Sequence, residues 1–417
     1  MAPTQKSGNT PSSSLRLAFN LLHQKTLPQL LRTVAGLPSA LNFAKQTQSR
    51  PASAPGPVNS PVRPLEIRYI RVVPSLFEKA CRREPAERTP VWFMRQAGRY
   101  MPAYRAVRAK HSLLEMCKRP ELAAEVTLQP VQELGVDAAI IFADLLLPVE
   151  PMGLRLEFVA GEGPVIRNPV RTVAEVAALS ADHTGDLGYV AEAIRLVRRQ
   201  LDSKIPVIGF VGAPFTLASY VIEGGASRHY LHTKRLMYGD PSLWTQLMAK
   251  LVLVLAAYAK SQVHAGAAAI QVFDSWAGTL SPGDYERYVL PHSRALIGQI
   301  RRAGVPVIHF ATGVGAYYPM LQKARADVLG LDWRVDLDGV WRSIRYRAAV
   351  QGNLDPVALF APPGELRARV HDILRRAGGR AGHIFNLGHG ILPETPVENV
   401  KAVVEMVREF RLVEAQP

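Results

Sequence analysis

Two arginines four residues apart, in Met94-Arg95-Gln96-Ala97-Gly98-Arg99-Tyr100, directly follow the apolar run Val91-Trp92-Phe93. A guanidinium is a planar fork that holds a carboxylate through two parallel hydrogen bonds, so a pair leaving a buried strand suits an anionic substrate. Gly98 lets the backbone approach such a ligand closely. Two surface arginines in ordinary salt bridges are the plainer alternative. One carboxylate, Asp144, ends the run Ile140-Ile141-Phe142-Ala143. Facing a pocket it is an anion whose pKa rises with desolvation; facing the loop it is an N-cap, and spacing favours neither. Gly209-Phe210-Val211-Gly212-Ala213-Pro214 reads as a tight strand-to-helix turn, with Tyr220 about one turn into the helix, offering a phenol or simply packing. Ser275, in Phe273-Asp274-Ser275-Trp276, lacks the Gly-x-Ser-x-Gly setting of a nucleophile and reads as a hydrogen-bonding serine. His389, between Gly388 and Gly390, is a ligand contact or proton carrier. Gly313-Val314-Gly315 lacks the third glycine of a dinucleotide fingerprint, and His229 with His232 reads as solvated rather than metal-binding.

These residues need a scaffold that gathers distant positions. Short apolar or β-branched runs at Val91–Met94, Ala138–Phe142, Pro206–Phe210, Ala268–Phe273, Val305–Phe310, Asp327–Leu331, Ala348–Gln351 and His383–Asn386 read as strands. Helical periodicity fills Glu121–Leu134, Leu187–Gln200, Ser242–His264, Asp284–Arg302, Glu365–Ala377 and Val397–Phe410. Eight strands alternating with helices predict a parallel sheet, and eight closes a (β/α)8 TIM-type barrel. An open doubly wound sheet would carry a glycine-rich turn after its first strand, where this chain has Arg-Gln-Ala-Gly-Arg. The polar candidates Arg95, Gln96, Arg99, Asp144, Asp274, Ser275, Asp332, Asn353, Asp355, Asn386 and His389 all fall where a strand gives way to a loop. In a barrel those ends share one rim, where chemistry is built.

The 417 residues carry a net charge of +15, of which residues 1–65, with seven basic and no acidic residues, supply +7. That Ser- and Pro-rich stretch reads as a disordered or targeting-like extension, with 66–417 as the single barrel domain. The moderately basic remainder fits an anionic small molecule; no Lys/Arg block or DNA-reading motif argues for nucleic acid. Two cysteines, Cys81 and Cys117, exclude a disulfide framework or a Cys-rich metal site. The richest apolar stretch, Leu247 to Tyr258, is interrupted by Lys250, so no membrane span is expected.

Pro90-Val91-Trp92-Phe93-Met94-Arg95-Gln96-Ala97-Gly98-Arg99 resembles the first signature of the uroporphyrinogen decarboxylase family, and Gly209 through Gly224 the second. Phe142-x-Asp144, Phe273-Asp274-Ser275, Gln351-Gly352-Asn353-Leu354-Asp355-Pro356 and Asn386-Leu387-Gly388-His389-Gly390 resemble further blocks in the family's order, over roughly residues 74 to 412. The resemblance implies a distorted (β/α)8 barrel, a homodimer, and no metal or cofactor. It implies conversion of the four acetates of uroporphyrinogen III to methyls, giving coproporphyrinogen III and CO2. The site it carries over is Arg95, Gln96, Arg99, Asp144, Tyr220, Ser275 and His389, with Asp144, Arg95 and Arg99 as catalytic residues. A corrinoid or thiol methyltransferase of related fold is one alternative, though neither cysteine has a histidine two residues before it. A non-catalytic tetrapyrrole binder is the other. The cytosol is the expected location, or a plastid if residues 1–65 act as a transit peptide.

Overall fold

The structure is a computed structural model, and it describes residues 74–412 apart from 160 and 183. The extension at 1–65 lies outside the described residues. Nine strands are present among them: β1 Ala139–Ile140, β2 Leu156–Val159, β3 Gly163–Ile166, β4 Val207–Gly212, β5 Ala267–Asp274, β6 Val307–Ala311, β7 Val328–Gly330, β8 Ala349–Gln351 and β9 His383–Ile384. Seven form one all-parallel sheet in the order β1-β4-β5-β6-β7-β8-β9, with registers such as Ile270 against Val307 and Val328 against Ala349. The segment at Val91 closes the ring. Phe385 N donates to Pro90 O (2.9 Å), Trp92 N donates to Phe385 O (3.3 Å), and Asp137 N donates to Val91 O (2.8 Å). Val91 thus stands between the last strand and the first, as the eighth member of a barrel.

The expected strand Val91–Met94 shrinks to a single bridging residue, Val91 with Phe385. Its other amides are taken by side chains instead of a ladder: Phe93 N donates to Gln96 Oε1 (3.1 Å) and Met94 N to Asn386 Oδ1 (3.1 Å). The helical expectations hold within a few residues, at Pro120–Leu134, Gly188–Gln200, Pro241–His264, Pro363–Ala377 and Val397–Glu409. The stretch expected to be helical over Asp284–Arg302 begins as a π-turn, Tyr285–Val289, and becomes an α-helix at Leu290–Arg301. The helix Pro214–Glu223 starts on a proline, whose missing N–H costs nothing at that position, and Tyr220 sits nearly two turns in rather than one. The antiparallel hairpin β2–β3 and the short helices such as Leu76–Cys81 and Leu231–Gly239 are not anticipated by periodicity, being too short to show it.

Pro241–His264 is the one helix among the described residues long and apolar enough to cross a membrane by length and composition. It is a barrel-wall helix with Leu247, Met248, Leu251 and Leu255 fully buried. Lys250, which interrupts its apolar run, sends Nζ to the carbonyls of Val176 (2.8 Å), Ala177 (2.9 Å) and Leu179 (2.7 Å). It therefore caps the helix Val173–Ala178, whose last turn otherwise ends on the single backbone bond from Leu179 N to Val176 O (3.3 Å). Lys250→Met is expected to cost about 2 kcal/mol, the worth of charge-assisted bonds to backbone, read as a lower urea midpoint with unchanged slope.

Candidate active site

The barrel interior is layered. Gln351 Nε2 donates to Gln271 Oε1 (3.0 Å), joining β8 to β5 across two intervening strands, so both side chains cross the lumen. Trp92 Nε1 adds a bond to Gln351 Oε1 (3.1 Å). Side chains alternate along a strand, so Phe273, two residues beyond Gln271, faces the same interior one layer nearer the C-terminal rim. Its ring meets Phe210 of β4 (5.6 Å, 90°) and Phe310 of β6 (6.0 Å, 78°) edge to face. The pocket therefore has an aromatic floor above a polar, hydrogen-bonded plug. Sequence reasoning named Phe210 and Phe273 only as motif letters; the strand parity that turns them inward follows from the polar Gln271.

Asp144 stands just beyond β1 and is half-buried. Its Oδ1 accepts the amide of Leu146 (2.8 Å), the local loop contact, which leaves Oδ2 without a hydrogen bond among the described residues. Burial pushes its pKa up from 3.8 to about 6, against the lowering pull of that amide and of Arg95, while Glu150 adds to the rise. Arg95 holds a left-handed backbone (φ 60°) and lays its side chain across Gly390. The positive charge of Arg95 bears on three groups at once: it lowers the pKa of Asp144, of Tyr220 and of His389. Tyr220 packs against Trp276 (5.8 Å), and burial, then the Asp144 charge, push its phenol up to about 12, so it is a proton donor at neutrality. Burial is also the main reason the His389 pKa is lowered, with Arg95 second, so the ring is neutral at pH 7.

The Arg95 charge therefore links Asp144, Tyr220 and His389, brought from strand-end loops and, for Tyr220, from the helix Pro214–Glu223, over nearly 300 residues of chain. Ser275 is half-buried beside Trp276, its carbonyl accepting from Thr312 Oγ1 (2.7 Å) and its hydroxyl unengaged among the described residues. Arg95 and Arg99 are both exposed; the Arg99 charge bears on Tyr104, whose ring meets Phe142 edge-on (5.8 Å) two residues before Asp144. Gln96 differs from expectation. Its side chain is fully buried and spans Phe93 N and Ala138 O (both 3.1 Å), a brace between the Val91 segment and β1. Asp274 is likewise fully buried and turned toward the helices, where Thr216 Oγ1 (3.2 Å) and Tyr285 OH (3.4 Å) donate to it. Asn353, Asp355 and Asn386 hold backbone amides and carbonyls of the rim loops.

Gly390 is a close-approach glycine: a Cβ there would sit 2.5 Å from Arg95 Cδ and 2.8 Å from Cγ. Gly390→Ala is expected to push the guanidinium off its seat and raise KM about tenfold, since ångström-scale misplacement of an anchoring group is costly; steady-state kinetics checks this.

A closed parallel barrel whose C-terminal rim gathers a desolvated carboxylate, a guanidinium, a phenol and a neutral imidazole over an aromatic floor defines a barrel enzyme for an anionic, ring-bearing substrate. Comparison with known proteins narrows the class. The pattern of the uroporphyrinogen decarboxylase (URO-D) family matches residues 74–410. The uroporphyrinogen decarboxylase of Solibacter usitatus is 64% identical over 344 residues, 82% of this chain and all of that protein. That of Carboxydothermus hydrogenoformans is 58% identical, over 80% of this chain and 96% of its own. A methyltransferase from Methanosarcina mazei superposes with a TM-score of 0.69 over 80% of this chain and 97% of its own; at 22% identity it shows a shared fold. The chain belongs to the uroporphyrinogen decarboxylase family. It is a carboxy-lyase of porphyrin biosynthesis, and the methyltransferase alternative is not favoured.

Proposed function

We propose that the chain converts the four acetates of uroporphyrinogen III to methyls, giving coproporphyrinogen III and CO2, around the carboxylate of Asp144. The observation that carries this reading is a half-buried carboxyl whose pKa, about 6, leaves it ionised at neutrality within reach of the Arg95 charge. Loss of CO2 from an acetate on an electron-rich pyrrole would leave a poorly stabilised carbanion. A proton added to a pyrrole carbon first makes the ring a cationic iminium. The electrons of the breaking C–C bond then flow into that ring, CO2 departs, and a second protonation turns the exocyclic methylene into methyl while the ring carbon gives its proton back. Asp144 accepts the converging pyrrole N–H groups of the flexible reduced macrocycle and balances the cation. Arg95 and Arg99 anchor the acid arms, an arginine being a poor proton donor on its pKa. Tyr220, Ser275 and His389 complete the contacts, and His389, neutral at pH 7, serves the ligand as a hydrogen-bonding partner. Gln96 supports the site through the backbone of the Arg95 loop.

Anaerobic incubation with uroporphyrinogen III, followed by chromatography of the oxidised products, tests the reading. Successive hepta-, hexa-, penta- and tetracarboxylates are expected; binding with no carboxyl loss would make the protein a tetrapyrrole carrier instead. The same reading takes the working form as a homodimer, as the family pattern implies, and sedimentation velocity checks it. It places the protein in the cytosol, in keeping with the bacterial relatives, with residues 1–65 as an appendage to the barrel domain. The mass of the mature N-terminus decides between a retained appendage and a plastid transit peptide.

A further inference from the structure

The loop after β7 carries a third guanidinium to the site. Asp332 is fully buried there; its Oδ2 accepts Gly313 N (2.7 Å) and Arg334 Nη1 (2.5 Å), and its Oδ1 accepts Arg334 N (2.8 Å). The loop backbone is held from two sides. Asp332 N donates to Tyr318 OH (2.9 Å), and Asn353 Nδ2 reaches the carbonyls of Asp332 (2.9 Å) and Val335 (2.8 Å). The Arg334 guanidinium lies over the Trp333 ring, 3.7 Å from its centroid, so its position is held by the ring as well as by Asp332. Trp333 stands edge-on to His389 (5.9 Å). Its backbone abuts Gly388 so closely that a Cβ there would sit 2.6 Å from Trp333 Cα. The Arg334 loop and the His389 turn are therefore one packed piece of the rim.

Only one of the five guanidinium N–H groups is engaged by Asp332, and the Arg334 side chain is 55% exposed. That leaves a preorganised fork with four N–H groups beside the pocket mouth, more than neutralising Asp332 requires. We propose that Arg334 is a further carboxylate-binding residue, gripping a propionate arm of the tetrapyrrole at the mouth beside His389. This rests on the reading of the Asp144 pocket as the tetrapyrrole site. The arm is assigned as propionate because an acetate under attack must reach down to Asp144, whereas the longer arms survive all four steps and extend to the rim.

The test uses Arg334→Gln, Arg334→Lys and the double variant Asp332→Asn/Arg334→Gln, which leaves no unpaired buried charge and so guards against simple misfolding. Binding of coproporphyrinogen III, which keeps only propionates, is measured anaerobically together with KM for the octacarboxylate and the pentacarboxylate. Arg334→Gln and the double variant are expected to weaken product binding about tenfold and to raise KM about tenfold for both substrates, with the loss in KM rather than kcat. Arg334→Lys recovers the charge but not the fork and is expected to fall between. Unchanged product affinity and KM in folded variants would overturn the proposal while wild-type turnover left the decarboxylase reading standing. An effect on the octacarboxylate alone would overturn the propionate assignment. Failure of the wild type to release CO2 would remove the decarboxylase reading, and this proposal with it.

Discussion

Asp144→Asn is expected to lower kcat by about 10²–10³-fold, the cost of removing one preorganised charge-stabilising group, and to raise the melting temperature. Both effects come from one property. The carboxyl pKa rises from 3.8 to about 6 on folding because the ionised form loses more solvation than Leu146 N and Arg95 return. A group whose folded pKa exceeds its unfolded value favours folding most below about pH 4, and that contribution is lost as pH climbs towards 6. At neutrality the anion thus costs the fold up to about 3 kcal/mol, at roughly 1.4 kcal/mol per pKa unit. Asparagine keeps an oxygen for Leu146 N and removes the charge, so most of that cost is recovered, less the attraction between the anion and the Arg95 charge. Calorimetry beside single-turnover kinetics reads both. Near-normal turnover would refute the electrostatic role, and a fall in melting temperature would refute the desolvation account.

The same trade explains what the sequence could and could not disclose. The barrel was legible because its strands are runs of β-branched and apolar residues with nothing polar to blur them: the central part of β4, β5 and β6 falls inside the expected ranges. Val91–Met94 has the same composition, yet side chains of Gln96 and Asn386 displace its ladder, and neither reads as a strand-breaker. At the rim, one residue separates a pocket wall from a brace. Phe273 lines the lumen while Asp274 is locked to Thr216 and Tyr285; Arg95 projects over Gly390 while Gln96 is sealed inside. Residue type cannot settle that choice, because an amide or a carboxylate serves equally well as ligand contact or as backbone clasp. Strand parity settles it for Phe273, and the left-handed turn settles it for Arg95. Arg334 escaped notice because its neighbour Asp332 looked like the functional residue, when its burial makes it the support instead.

That coupling between a charge and its seat sets the second large effect. Arg95→Met is expected to reduce kcat/KM at neutral pH about 10²-fold, the scale of losing one charge that anchors a substrate carboxylate and favours the Asp144 anion. It is also expected to move the acid limb of the pH profile upward. The direction follows from the signs: Arg95 lowers the Asp144 pKa, so its removal lets desolvation raise that pKa beyond about 6. The active anion then forms only at higher pH, and activity lost at pH 6.5 returns in part at pH 8. Arg95→Lys separates the two contributions, keeping the charge and hence the limb near its wild-type place while losing the fork that grips a carboxylate. If the limb stays fixed in both variants, the group titrating there is not Asp144. The stabilised-cation reading would then need another anion, and among the described residues the neighbouring carboxylate that already presses on Asp144 is Glu150. A limb that moves for methionine and holds for lysine ties the titrating group to the guanidinium beside it, which an anchoring role for Arg95 alone would not do.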